Sequence, residues 1–142
     1  MSLLFHHIQQ LSREINQYLN TALEGEEIFM SHWAVLFQVS SNGGCITQAE
    51  LKERLNIEAP PLSRVIAKLE TLGYIQKYKS EDQRTNDISL TTRGKERYPH
   101  WQQSIQKAEA RLIERLGKDR EKKLESDVIN LSQLVSEERR RL

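Results

Sequence analysis

The sequence predicts a mainly α fold carrying one small β-hairpin, on three observations. Apolar residues recur at helical spacing through most of the 142 residues. The one stretch that alternates in strand fashion, 74–90, is interrupted by a polar, turn-like run. Glycine or asparagine stands where each helical pattern but the last gives out.

The first helix is carried by Leu4, Ile8, Leu11, Ile15, Tyr18 and Ala22, whose spacings of four and three make a near-heptad stripe, with Gly25 as its stop. A stripe of that length is expected to pack on its own chain or on a partner. The second helix, about Phe29 to Val39, carries Trp33, Leu36 and Phe37 and is dense enough in apolar residues to be buried on several sides. Phe29 leaves this helix without a capping side chain, and Ser31 is the expected substitute. Ser40-Ser41-Asn42-Gly43-Gly44 breaks the chain, and Cys45-Ile46 suits a very short strand.

Thr47-Gln48-Ala49-Glu50 has the form of a capping box, in which the Thr47 hydroxyl accepts from the Glu50 amide. The short helix it opens carries Leu51 and Leu55 and ends near Asn56, a residue that tolerates the left-handed stop. The next helix begins near Glu58, with Pro60 and Pro61 in its first turn, where backbone amides have no helical partner. Leu62, Val65, Ile66, Leu69 and Leu72 form its apolar stripe, Ser63, Arg64, Ala67, Lys68 and Thr71 its other face, and Gly73 its stop. Tyr74–Lys79 and Ile88–Leu90 then read as the arms of a hairpin with a charged tip. Thr91 or Thr92 caps a long helix to about Leu116, with Trp101, Ile105, Ala108, Leu112 and Leu116 as its stripe and Pro99 as an early interruption. After Gly117 a last helix carries Leu124, Val128, Leu131 and Val135 and ends in Arg139-Arg140-Arg141.

A short capped helix, a tight turn, a second amphipathic helix and a hairpin make a winged helix-turn-helix, here with long flanking N- and C-terminal helices. That architecture suits double-stranded DNA. A helix fits the major groove, whose edges carry a distinct donor and acceptor pattern for each base pair. Its inner face must be apolar to hold it rigidly, and its outer face must offer short polar groups and cations. Ser63, Arg64 and Lys68 satisfy the second demand. Lys77, Lys79 and Arg84 on the wing are placed to reach phosphates or a minor groove.

Composition neither demands nor forbids this reading. Net charge is only +1, but segment 1–46 sets Arg13 against Glu14, Glu24, Glu26 and Glu27, so the positive excess lies downstream. No run approaches the roughly 18 apolar residues needed to span a bilayer, and the N-terminus lacks the pattern of a secretory signal. A single cysteine, Cys45, forms no internal disulfide. A cytoplasmic protein without membrane contact is expected. No paired catalytic carboxylates, phosphate-cradling glycine loop or nucleophile motif stands out, so no enzyme and no cofactor are expected. His6, His7, His32 and His100 lack the three- or four-residue ligand spacing of a helical metal site.

The run Leu69-Glu70-x-Leu72-Gly73-Tyr74-Ile75, then Asp82-Gln83-Arg84, then Leu90-Thr91-x-x-Gly94 resembles the MarR (multiple antibiotic resistance regulator) family. Leu-Thr-x-x-Gly alone is weak, but the ordered set at these spacings is specific, and the resemblance extends over nearly the whole chain. It implies a transcriptional regulator, by default a repressor, released from a pseudo-palindromic operator by a small aromatic or lipophilic effector. It implies that Arg84 enters the minor groove, that Asp82 holds the wing in shape, and that Ser63, Arg64 and Lys68 face the major groove. It implies a homodimer in which residues 1–25 and 98–142 interlock and flank a DNA-binding domain over 29–97.

Pro60 and Pro61 depart from relatives that place Ser or Thr there. Proline offers a phosphate neither an amide proton nor a hydroxyl, so base preference does not carry over. Other readings stay open beside this one. Winged helices also dock proteins, a use that Glu58 or Glu70 would favour by neutralising the basic face. Cys45 reads as a small buried residue or as a peroxide-sensing thiol, the latter needing nearby positive charge or a helix N-terminus, and it does precede a capped helix. Trp33 and Trp101 read as core or interface residues or as the lining of an effector pocket, and Arg139–Arg141 as a solvated helix end or as phosphate contacts.

Overall fold

The computed structural model describes residues 1–82 and 84–142. Their order is α1 (Leu3–Ala22), α2 (Met30–Ser41), β1 (Cys45–Thr47), α3 (Gln48–Leu55), α4 (Ala59–Thr71), β2 (Ile75–Lys79), β3 (Asn86–Leu90), α5 (Thr92–Leu116) and α6 (Lys118–Arg141). Two compact units divide the chain, Met1–Ile105 and Gln106–Leu142, with the boundary inside α5.

In the first unit, the helix ends follow local chemistry. Thr47 accepts the Glu50 amide at 3.1 Å and opens α3, and Asn56 closes it in the left-handed region at φ 53°. Glu58 precedes α4, whose first turn takes Pro60 and Pro61. Gly73, at φ 82°, turns the chain from α4 into β2, a conformation that favours glycine. Thr91 rather than Thr92 caps α5, because its Oγ1 accepts from the Gly94 amide at 3.0 Å. α5 runs through Pro99 without ending.

The start of α2 differs from the expectation that Ser31 caps it. Phe29 stands at the N-cap and has no side-chain acceptor, so only the reciprocal half of a capping box forms. His32 Nδ1 accepts from the Phe29 amide at 2.9 Å, and Asn20, on α1, accepts from the Met30 amide at 2.7 Å. The next free amides of the helix are thus satisfied by residues at longer reach than Ser31.

The strands form one antiparallel sheet in the order β1-β3-β2. In register, Ile46 faces Ile88, Ile75 faces Leu90 and Lys77 faces Ile88. One side of the sheet therefore carries Ile46, Ile75, Ile88 and Leu90, all buried. With them in the core lie Val35, Leu36 and Val39 of α2, Leu51 of α3, Leu62, Ile66 and Leu69 of α4, and Trp101 and Ile105 of α5.

The apolar stripe of α1 is mostly uncovered: Leu4, Ile8, Leu11 and Ile15 are exposed, and the buried residues at its end are Leu19 and Leu23. In the second unit, Leu112 and Leu116 of α5 and Leu124, Val128 and Val135 of α6 are also exposed, and α6 buries none of its residues. Gly117, at φ 92°, separates the two helices. Asp119 and Glu121 occupy the first turn of α6 and Arg139, Arg140 and Arg141 its last, the arrangement that complements a helix dipole.

Candidate functional site

α4 divides cleanly into two faces. Leu62, Ile66 and Leu69 are buried against α2 and the sheet, while Ser63, Arg64, Ala67, Lys68 and Thr71 are exposed. The three sequence candidates on this helix, Ser63, Arg64 and Lys68, thus share its open face. Glu58 and Glu70 are exposed as well, at its two ends. The Lys68 charge is felt inward. Burial first, and the Lys68 ammonium second, push the His32 imidazole below its ordinary value of 6.5. The ring is held neutral, as its acceptor role at the start of α2 requires.

The wing is built by β2 and β3. Lys77 faces Ile88 and Lys79 faces Asn86, so both lysines lie on the core side of the hairpin, where it projects beyond the core and leaves them exposed. At the tip, Asp82 Oδ1 accepts from Ser80 Oγ at 2.6 Å and from the Arg84 backbone amide at 3.1 Å. Ser80 Oγ in turn accepts from the Thr85 amide at 3.3 Å, and the Ser80 amide donates to the Thr85 carbonyl at 2.9 Å. The Ser80 hydroxyl, then the Arg84 amide, hold the Asp82 carboxyl below its ordinary range. Asp82 meets the backbone of Arg84, and Arg84 is exposed. Gln83, between them in the Asp-x-Arg motif, lies outside the described residues.

Wing and helix are joined by a chain of side chains that spacing does not reveal. Gln48, the first residue of α3, donates from Nε2 to Ser63 Oγ at 3.3 Å. Its Oε1 accepts from Asn86 Nδ2 at 3.4 Å. Asn86 opens β3 opposite Lys79, so the exposed face of α4 and the core side of the wing form one continuous surface.

Other motif residues serve the frame. Thr91 donates its hydroxyl to the Gly73 carbonyl at 2.6 Å, and its amide donates to the Tyr74 carbonyl at 3.1 Å. Gly94 lies so close that an added Cβ would stand 2.2 Å from the Tyr74 carbonyl oxygen. Leu-Thr-x-x-Gly is thus the joint between the turn after α4 and the start of α5. Glu26, in the turn between α1 and α2, accepts from Arg97, His100 and Trp101 on α5 at 2.5, 2.6 and 3.3 Å. Burial pushes its carboxyl up, but these donors together outweigh burial and hold it below its ordinary value. Trp101 is wholly buried and edge-on to Tyr74, which makes it a core residue. Trp33 stacks at 4.9 Å on Tyr98. Cys45 is half-buried, on the outer side of the sheet, with Sγ 3.4 Å from Tyr78 Oη. That contact pushes the Tyr78 hydroxyl up.

Among the described residues, no group of three or more His, Cys, Asp and Glu is arranged to hold a metal ion, and no helix is long and apolar enough to cross a membrane.

The family model for the MarR family matches residues 29–84. An HTH-type transcriptional regulator of Bacillus subtilis, YwoH, is 34% identical over 110 residues, which is 78% of this chain and 80% of that protein. A MarR variant from E. coli in complex with operator DNA has the same fold, with a TM-score of 0.82 at 24% identity over 90% of this chain and 92% of that one. So does an organohalide-sensing transcriptional regulator bound to 2,4-dichlorophenol, with a TM-score of 0.83 at 19% identity over 92% of this chain and 78% of that one.

Proposed function

Because the chain belongs to the MarR family of HTH-type transcriptional regulators, we propose that it binds double-stranded DNA as a homodimer, with α4 in the major groove and the wing at the minor groove. One observation carries this reading: Ser63, Arg64 and Lys68 stand open on α4 while the Asn86–Gln48–Ser63 chain ties that face to the wing. Ser63, Arg64 and Lys68 meet base edges and nearby phosphates, Lys77 and Lys79 meet phosphates, and Arg84 enters the minor groove, where negative potential is enhanced. Asp82 shapes the tip that presents Arg84. Residues 29–97 form the DNA-binding part, and the exposed apolar faces within 1–25 and 98–142 are covered by a second copy. Two-fold symmetry then calls for a pseudo-palindromic operator, with half-sites about one helical turn apart.

The protein acts as a repressor in the cytoplasm and carries out no catalytic step. A small aromatic or lipophilic effector releases it by binding the free geometry more tightly than the DNA-bound one, since only differential affinity shifts such an equilibrium. A docking module for other proteins is the weaker reading. It needs Glu58 and Glu70 to neutralise α4, and they flank its open face at the ends rather than occupy its middle.

Titration of the protein's own upstream DNA tests the proposal by anisotropy. Log affinity should fall linearly with log salt concentration, and Arg84→Ala should weaken binding by about tenfold. Tight binding that survives the substitution and ignores salt would remove the wing from the interface.

A further inference from the structure

We propose that Gln48 is a positioning residue for sequence reading: by donating to Ser63 it keeps the Ser63 proton turned outward, and so favours the base edges that accept. The inference rests on α4 being the helix that enters the major groove.

A serine hydroxyl owns one proton and two lone pairs. In isolation it rotates and presents either. Here one lone pair of Ser63 Oγ takes the Nε2 hydrogen of Gln48, at 3.3 Å. The Gln48 amide is itself held from the other end, since its Oε1 accepts from Asn86 Nδ2 at 3.4 Å. Turning the Gln48 amide over would bring its amino group against the amino group of Asn86 and its oxygen against Ser63. With the Asn86 amide oriented as it is, the chain runs from the wing through α3 to α4, and each bond polarises the next. What remains for Ser63 to present outward is its proton and one lone pair, so its capacity to donate is kept whole while its capacity to accept is halved.

Ser63 lies in the N-terminal part of α4, on its exposed face, the part of a recognition helix that meets base edges. A hydroxyl whose proton is kept outward pairs with guanine O6 or N7, adenine N7 or thymine O4. It has one lone pair left for the amino groups of cytosine or adenine, where a hydroxyl that donates inward would have two. Gln48, half-buried at the start of α3, acts through Ser63 and needs no contact with DNA of its own.

The test uses the full chain and a pool of duplexes randomised across both half-sites, with the bound fraction sequenced. Wild type, Gln48→Leu, Gln48→Glu, Ser63→Ala and the Gln48→Leu/Ser63→Ala double variant are compared. Melting by circular dichroism confirms that each is folded. Gln48→Leu removes both bonds at similar volume. It should keep the non-specific affinity and salt slope of wild type, yet lose about tenfold in base preference at the one half-site position that Ser63→Ala also loses. The double variant should lose no more than either single one. Gln48→Glu offers Ser63 an acceptor, turns its proton inward, and should shift that position toward a base bearing an amino group.

An unchanged preference in Gln48→Leu would overturn the proposal. So would losses that add in the double variant, which would mean that Gln48 touches DNA itself, or a loss spread evenly over all sequences, which would put Ser63 on a phosphate. A wild-type protein with no sequence preference at all would instead remove the DNA-reading helix, and this inference with it.

Discussion

Gly94 owes its place to a neighbour twenty residues away in sequence. A Cβ there would meet the Tyr74 carbonyl oxygen at 2.2 Å, and that neighbour is backbone, so it cannot rotate away. Gly94→Ala is expected to cost about 3 kcal/mol, the upper part of the range for overpacking, read as a lowered midpoint in urea. His32 shows the same dependence on context in its charge. Burial and Lys68 hold its folded value below 6.5, so the unfolded chain binds a proton more readily than the folded one. Its contribution to stability is in place above 6.5 and is lost as pH falls from there through the depressed folded value. The melting temperature should drop between about pH 7.5 and about pH 5.5, and His32→Gln, which keeps an acceptor for the Phe29 amide without titrating in this range, should flatten that drop.

At the scale of elements, the wing tip is held by hydrogen bonds rather than by packing. Asp82 gathers Ser80 and the Arg84 amide, and all three residues lie at or near the surface. Asp82→Ala should therefore move the melting temperature little, while weakening DNA binding through a loosened Arg84. Calorimetric melting and the anisotropy titration separate the two effects. The knot at Glu26 is the opposite case, a link between elements that serves stability. Removing its carboxylate strands Arg97, His100 and Trp101 together. Because Arg97 and His100 are substantially exposed, Glu26→Ala is expected to cost about 1–2 kcal/mol rather than the full value of a buried pair.

For the whole molecule, apolar residues stand open in stripes along α1, α6 and the end of α5, and exposed apolar surface gathered in this way marks an interaction site. If a second copy covers them, folding and association are linked by mass action. The melting temperature should then rise with protein concentration. Leu11→Glu, placed in the middle of the α1 stripe, should abolish that rise and reduce the sedimenting mass to one chain. A concentration-independent melt of the wild type would leave the stripe without its proposed partner.

Local chemistry along the chain made the elements and most of their ends legible, because the forces that set them act over a few residues. Thr47 finds the Glu50 amide three residues on, Asn56 takes a left-handed stop where its own helix ends, and the alternation from Ile75 to Lys79 declares a strand without reference to anything distant. It also determined which side of α4 is apolar, and hence that Ser63, Arg64 and Lys68 stand outward together. How those pieces hold one another came from packing in three dimensions. Gln48 reaches Ser63 and Asn86 across 15 and 38 positions, and Glu26 reaches Trp101 across 75. His32 and Asn20 satisfy the start of α2 where Ser31 was expected. Such pairings leave no periodic trace, since a hydrogen bond between distant residues depends on where packing has already brought their backbones.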